Sequence, residues 1–407
     1  MSGRRGALAG LRVVEFGAFA AGPHVGKHLA DHGAEVVHVE SRRRLDGFRT
    51  NYEPFKDGVP GLERSAMFAM THNDKLGVTL NLKGKAGVAL AIRLVKRADV
   101  VIENFTPGTM ARLGLAYGVL AEDHPGLVML STCNQGQTGP HATHPGFGTH
   151  LTAMSGFINL TGWPDRDPSL LWGPYIDYIA VAYGVIAVLA ALEERRRTSH
   201  GAHIDLSQYE SGLQFLAPLL LEYQETGRAR ERDGNRDPEA VPHGVYPCAG
   251  DERWCAISVH DDAEWARLGR ALGDPEWARR PDLAQRAGRR RAEPEIDRGL
   301  ATWTSRRTRE EVVARLAAAQ VHAAPVNDMR DVFHDPDLAA HRSWRLLTHP
   351  VIGAYHAPGP PYLLSETPAE LERPAFLLGQ HNREVFQGIL GLSDAEYAEE
   401  EQAGAFE

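Results

Sequence analysis

The stretch LRVVEFGAFAAGPHVGKHLADHGAEVVHVE, residues 11–40, decides the fold class. Residues 11–17 read as a buried strand, a short apolar run that ends on Gly17. Residues 23–33 read as a helix, with Pro23 in its first turn and Gly33 at its end. Residues 34–40 read as a second strand. A strand, a short helix and a strand imply a parallel pair with a crossover, hence an α/β fold. Gly17 and Gly22 after the first strand, with Glu40 ending the second, invite a dinucleotide reading. The segment GAFAAGP lacks the second glycine of G-x-G-x-x-G, which lets a pyrophosphate approach, so NAD binding is disfavoured.

Further α/β units follow. Residues 85–98 read as a helix, 99–105 as a strand, 126–133 as another strand before a polar loop, and 202–207 as a strand. From about residue 225 to 242 the composition turns charged, with scattered Gly and Pro, as in a linker. A hairpin around Ala249-Gly250-Asp251 comes next, then an arginine-rich helical region over 260–320. After residue 328 the chain reads as loops.

The chain has 407 residues, 43% hydrophobic, and a net charge of −9. This is more than one core normally holds, so two domains are expected. No long basic block is present, which speaks against nucleic acid. Cys133, Cys248 and Cys255 are widely spaced and form no CxxC, which suits a reducing compartment and gives no metal-ligand pattern. The apolar run after Asp177, residues 178–192, is shorter than a membrane span and reads as a buried helix.

Asp177 stands in front of that run, at the helix N-cap or just before it. An ordinary Asp cap is one reading. The other is a carboxylate nucleophile, held ionised by the helix N-terminus and surrounded by Trp172, Tyr175 and Tyr178.

Several segments together resemble the class III CoA-transferase family, the CaiB/BaiF type. They are LRVVEFGAFAAGP, LADHGAEVVHVE, VTLNLK, ADVVIENFTPGTMARLGL, GQTGP, PGFGTHLTAMSG, the long segment from GPYIDYI to AHIDLS, APVNDMRDVFHDPDL and LLGQHNREV. They stand in the family's order over nearly the whole chain. The resemblance implies that Asp177 is the nucleophile of a CoA-transferase, carrying first an acyl group as an anhydride and then CoA as a thioester. It implies CoA contacts at Thr71, His72, Asn73 and Lys75, and at Asn104, Phe105, Thr106 and Arg112. Such chemistry needs N–H donors for its tetrahedral oxyanions; the glycine-containing loop Gln135–Gly139, with Gln135, Gly136 and Gln137, is one candidate, a plain surface turn the other reading of it, and Phe147 is placed by the acyl group. Neither a metal nor a tightly bound cofactor is implied; CoA esters are substrates, and the partners are an acyl-CoA and a carboxylic acid, with no membrane.

The same resemblance implies a large α/β domain with a parallel, Rossmann-like sheet built from both chain ends, residues 1–224 and 325–407. A smaller α+β domain lies between, residues 225–324, and the homodimer is interlocked and cytoplasmic. An acyl-CoA racemase is the alternative within the family, but its proton-shuttling histidine is replaced by Phe147, and His150 falls out of register. A silent CoA-binding relative is a third reading, against which Asp177 argues. For the acceptor, Trp172, Tyr175, Phe147 and Tyr246 are candidate apolar liners, and GPYIDYI and HGVYPC resemble members acting on aromatic or dicarboxylic acids.

Overall fold

The computed structural model describes residues 5–407. They divide into two compact units. The first holds residues up to Ile158, Leu170–Ala229 and Ala340–Glu407; the second holds Asn159–Ser169 and Arg230–Ala339.

In the first unit, β1 (Arg12–Phe16), β2 (Glu35–Glu40), β3 (Leu76–Thr79), β4 (Val100–Glu103), β5 (Val128–Cys133) and β6 (His203–Ser207) form one sheet. Its order is 3-2-1-4-5-6, and all neighbours are parallel. Every residue of β4 and β5 is buried. Their near-continuous apolar runs follow from cover on both faces, which removes the need for alternation. Helix α1 (Ala21–Asp31) joins β1 to β2, and α2 (Lys85–Val95) joins β3 to β4. The short α3 (Gly148–Met154) and the long α4 (Tyr175–Thr198) lie between β5 and β6. The strand order reverses between β1 and β4, the switch point beside which open α/β sheets place their ligands.

All six strands lie between Arg12 and Ser207, so the sheet itself is not built from both chain ends. The C-terminal segment instead closes the open edge of β3. Gly77 N donates to His381 Nδ1 (2.9 Å), Thr79 N to Asn382 Oδ1 (2.9 Å), and Asn81 N to the Ala405 carbonyl (2.7 Å). The region after residue 328 is also less loop-like than expected, since Trp344–His349 and Gly353–Pro358 pair as an antiparallel hairpin.

Two expectations for α4 are corrected. The helix starts at Tyr175, after Gly173 (φ 75°) and Pro174, so Asp177 is its third residue and not its cap. Nor is the helix fully buried. Ile176, Ala180, Val181, Gly184 and Val188 are inside, and a Cβ on Gly184 would come within 2.9 Å of Val25 on α1. Tyr183, Ile186 and Leu189 are exposed, Ile186 by 62%. By length and composition α4 could also pass for a membrane span; its inner side is packed on α1 and β5.

The second unit has an antiparallel sheet of β7 (His243–Pro247), β8 (Trp254–Ser258) and β9 (His322–Val326). Cys255 and Ile257 of β8 pack with Trp265 and Leu268, with Ile296 and Leu300 of α5 (Glu293–Thr304), and with Val312 and Leu316 of α6 (Arg309–Ala318).

Gly77 tests the C-terminal seam. A Cβ there would lie 1.8 Å from the Phe376 ring. Gly77→Ala should lower unfolding free energy by about 1–3 kcal/mol in urea titration, the cost of overpacking. An unchanged midpoint would show that the segment around Phe376 yields freely.

Candidate active site

The switch point is closed by one side chain. Asn104, just after β4, accepts from Ala18 N (3.0 Å) and donates to the Ala18 carbonyl (2.7 Å) in the loop after β1. Gly17, with φ 150°, admits this clamp, because a Cβ there would lie 1.9 Å from Asn104 Oδ1. The loop then turns at Phe19, whose φ is 64°, and its N–H is held by Asp46 (3.1 Å). The Phe19 ring meets Phe48, Tyr52 and Phe147 edge-on at 5.8–6.0 Å.

Phe147 leads into α3, and its N–H donates to His150 Nδ1 (3.2 Å). Gly148, the first residue of α3, packs against the carboxylate of Asp177. A Cβ on Gly148 would lie 2.5 Å from Asp177 Oδ1 and 2.6 Å from Pro174 Cβ. A crossover helix runs back along the sheet, so the start of α4 lies at the carboxyl edge of the strands, the edge that also carries Phe19 and Asn104. Among the described residues, no side chain hydrogen-bonds the Asp177 carboxylate. Burial pushes its pKa up to about 7, the reverse of the expected stabilisation of its charge by the helix end. Its neighbour Tyr178 meets the ring of His24 at 5.1 Å. His24 is buried, bonded to the Ala20 carbonyl, and held neutral with its pKa lowered to about 3 by burial.

A carboxylate stripped of water and hydrogen bonds is a stronger nucleophile than a solvated one. His150, the nearest candidate for a proton shuttle in sequence, has its Nδ1 engaged with the Phe147 backbone.

The expected CoA contacts divide into two groups. Thr106 and Arg112 are exposed beyond β4, where Arg112 Nη2 donates to Thr109 Oγ1 (2.7 Å) and Thr109 Oγ1 lies 3.0 Å from Thr106 Oγ1. Phe105 is half-buried against the core, and the Asn104 amide is engaged by Ala18. Thr71, His72, Asn73 and Lys75 are buried, contrary to expectation. Lys75 Nζ donates to both oxygens of Glu15 (2.9 and 3.1 Å) and to the Pro23 carbonyl (2.6 Å). His72 stacks on Phe68, Asn73 donates to Asp31 (3.1 Å), and Thr71 donates to the Met67 carbonyl. Lys75 ties β1 to α1 and Asn73 reaches α1, while Thr71 and His72 pack within their own segment; all four are buried. Glu15, His38 and His72 come within 4.8 Å of one another, as metal ligands do. The Lys75 ammonium already supplies the positive charge there.

The loop after β5 departs from the oxyanion reading at one amide. Gln137 N donates to Asp205 Oδ1 (2.8 Å), so that amide serves the loop itself. Gln137 Nε2 reaches Glu103 (3.4 Å), whose pKa burial raises to about 7. Tyr246 leaves the list of acyl-site liners: it is buried in the second unit, and its hydroxyl donates to Asp297 (2.7 Å). Trp172 is 97% exposed.

Gly148, His24 and Phe19 were not singled out in the sequence. The segment PGFG carried a signal for Gly148, since two glycines around an aromatic mark a close backbone approach. His24 and Phe19 carried none.

Comparison with known proteins supplies the family. The model of CoA-transferase family III matches residues 8–382. Succinyl-CoA–D-citramalate CoA-transferase of Chloroflexus aurantiacus is 35% identical over 391 residues, covering 96% of each chain. Succinate–glutarate CoA-transferase of Agrobacterium fabrum is 33% identical over 388 residues, covering 95% of this chain and 96% of its own. A crystal structure of a CaiB/BaiF family protein from Brucella suis superposes with a TM-score of 0.87 at 30% identity, covering 95% of this chain and all of that one. The chain belongs to CoA-transferase family III.

The raised pKa of Asp177 sets two pH signatures. A carboxylate nucleophile attacks only when ionised, so if Asp177 has that role kcat/KM should fall about tenfold per pH unit below about 7. Glu103→Gln should keep that profile. The folded state binds the Asp177 proton more tightly than the unfolded chain. Stability linked to this group is therefore present below about pH 4 and lost as pH rises to about 7. Relative to Asp177→Asn, the wild type should lose up to roughly 4 kcal/mol across that window in denaturant titrations. A flat difference would show that Asp177 is solvated.

Proposed function

We propose that the protein moves CoA from an acyl-CoA to a carboxylic acid through covalent intermediates on Asp177. The observation that carries this is the Asp177 carboxylate at the start of α4, partly buried, packed against Gly148 and, among the described residues, free of side-chain hydrogen bonds. An Asp177 oxygen attacks the donor thioester carbon, the C–S bond breaks, and the CoA thiolate leaves an aspartyl anhydride. The thiolate then attacks the Asp177 carbonyl and expels the donor acid, leaving an aspartyl-CoA thioester. The acceptor carboxylate attacks that carbonyl and releases the thiolate. The thiolate finally attacks the acceptor carbonyl, and Asp177 leaves as a carboxylate. No net proton is needed. Water must be kept out, because an anhydride hydrolyses readily.

Thr106 and Arg112 are proposed as CoA contacts at the exposed carboxyl edge of β4, with Phe105 beside them. For the acids, the relatives' names point to succinyl-CoA as donor and to dicarboxylates of four or five main-chain carbons as acceptors. We carry that class to this chain. CoA is a substrate and no cofactor is held tightly; the free, buried cysteines suit a cytoplasmic location.

The homodimer, with its two chains interlocked, is part of the same reading. Ile186 on α4, Phe215 and Leu221 are each exposed by more than 60%, on helices that are neighbours in the chain. A second copy is the proposed cover for these side chains. Light scattering should show one species of twice 44.6 kDa. Ile186→Glu should remove it, and a stable wild-type monomer at micromolar concentration would sink the dimer.

Asp177→Asn keeps the size of the side chain and removes the nucleophile. Transfer should fall by about a thousandfold or more, while CoA esters still bind. Hydroxylamine with acyl-CoA should trap wild-type Asp177 as a hydroxamate and leave the variant unmodified. Retention of over a tenth of the activity, a barrier change under about 1.4 kcal/mol, would reduce Asp177 to a structural residue.

A further inference from the structure

The arginine-rich region of the second unit has no part in the reading above. Between residues 279 and 315 the chain has eleven arginines, no lysine and six carboxylates. Five of those arginines are ion-paired: Arg280, Arg286, Arg289, Arg290 and Arg309. The other six make no ion pair among the described residues. Four of these six, Arg298, Arg306, Arg307 and Arg315, line one concavity of about 870 Å³ between α5 and α6. The segregation is clean, since no ion-paired arginine of the region lines it.

The concavity also presents two indoles, Trp277 and Trp303. Arg307 lies 4.1 Å over the Trp303 ring, and Arg315 lies 5.6 Å from it. Each is fixed by a backbone carbonyl: Arg307 Nη1 donates to Trp303 O (2.6 Å) and Arg315 Nε to Ala271 O (2.5 Å). Trp303 Nε1 donates to the Leu272 carbonyl (3.1 Å). Trp277 packs on the backbone of α5 at Gly299, where a Cβ would approach its ring to 2.6 Å. The two lining carboxylates are engaged elsewhere: Glu295 pairs with Arg280 (2.5 Å), and Glu311 accepts from Thr308 N (2.9 Å). Two guanidiniums are thus preset on an aromatic frame, and two more, on Arg298 and Arg306, stand exposed at the rim. Unpaired like charges repel, and a polyanion relieves that repulsion. Guanidinium forks match phosphate oxygens in geometry. The volume lies within the range of small-molecule sites. The concavity holds no carboxylate free to act as nucleophile, so the chemistry of Asp177 is not placed there.

We propose that this groove binds a nucleoside polyphosphate, with the phosphates on the four arginines and the base against the indoles. A free nucleotide and the nucleotide end of CoA share that chemistry. The proposal stands apart from Asp177, so Asp177→Asn should bind the same ligand. Calorimetry on the full chain with ATP should give saturable binding. Arg298→Ala/Arg306→Ala should weaken it about tenfold or more, with the melting temperature unchanged. Inorganic triphosphate, which lacks a base, should bind about tenfold more weakly than ATP. Displacement of ATP by CoA would identify the substrate's own nucleotide as the source, and its persistence would identify a free nucleotide. No binding at about 5 mM ATP, unchanged affinity in the double variant, or equal affinity for triphosphate would overturn the proposal.

Discussion

The arrangement of the site depends on a two-bond contact between one amide side chain and one backbone unit. Asn104 engages both the N–H and the carbonyl of Ala18 across the gap between β1 and β4. A parallel sheet leaves this gap wherever its strand order reverses, and loops from the two sides diverge there. Tying them together fixes the path of Phe19, and Phe19 sets Phe147 through ring contact. Phe147 precedes Gly148, and Gly148 forms the wall beside Asp177. The position of the Asp177 carboxylate is thus determined through a chain of contacts that starts two strands away.

Beneath that chain lies a buried charge cluster. Glu15 receives Lys75 and His38, and Lys75 also reaches the Pro23 carbonyl near the start of α1. Burial lowers the Lys75 pKa, with the Lys27 charge adding to it, while Glu15 opposes the shift. Such a pair adds little net stability, but loss of either partner strands a charge in the core. Its geometric effect is larger, because it admits only one seating of α1 on the sheet. Gly26 allows this close contact, since a Cβ there would strike Glu15 Oε2.

Much of this was legible in the sequence, and the misses share a cause. The β1–α1–β2 unit declared itself through apolar runs bounded by Pro and Gly, which are local signals. Asp177 was identified by its place before a long apolar run, yet the helix begins two residues earlier because Gly173 and Pro174 set its entry. Thr71, His72, Asn73 and Lys75 read as ligands because their segment resembles a family CoA segment; their burial is decided by β1 and α1, far away in sequence. The buried reading of α4 failed for a similar reason, since an apolar side chain does not say which chain covers it. Phe19 and His24 matter only through tertiary contact, which no local pattern announces.

The seam along β3 bears on the order in which the molecule can be made. The partners of Thr79 and Asn81 include the carbonyls of Phe406 and Ala405. About 325 residues must be synthesised after β3 emerges before that edge is sealed. At ribosomal rates of roughly 5–20 residues per second this takes about 15–65 s. Throughout that time a strand of a nascent sheet presents unpaired backbone groups to the crowded space around the ribosome. The second unit has its own core and is complete in the chain by residue 339, so it can fold first. The six strands are all made before the second unit, yet the seal on the β3 edge is the last to form, and that edge is the part that shielding by chaperones during translation would serve.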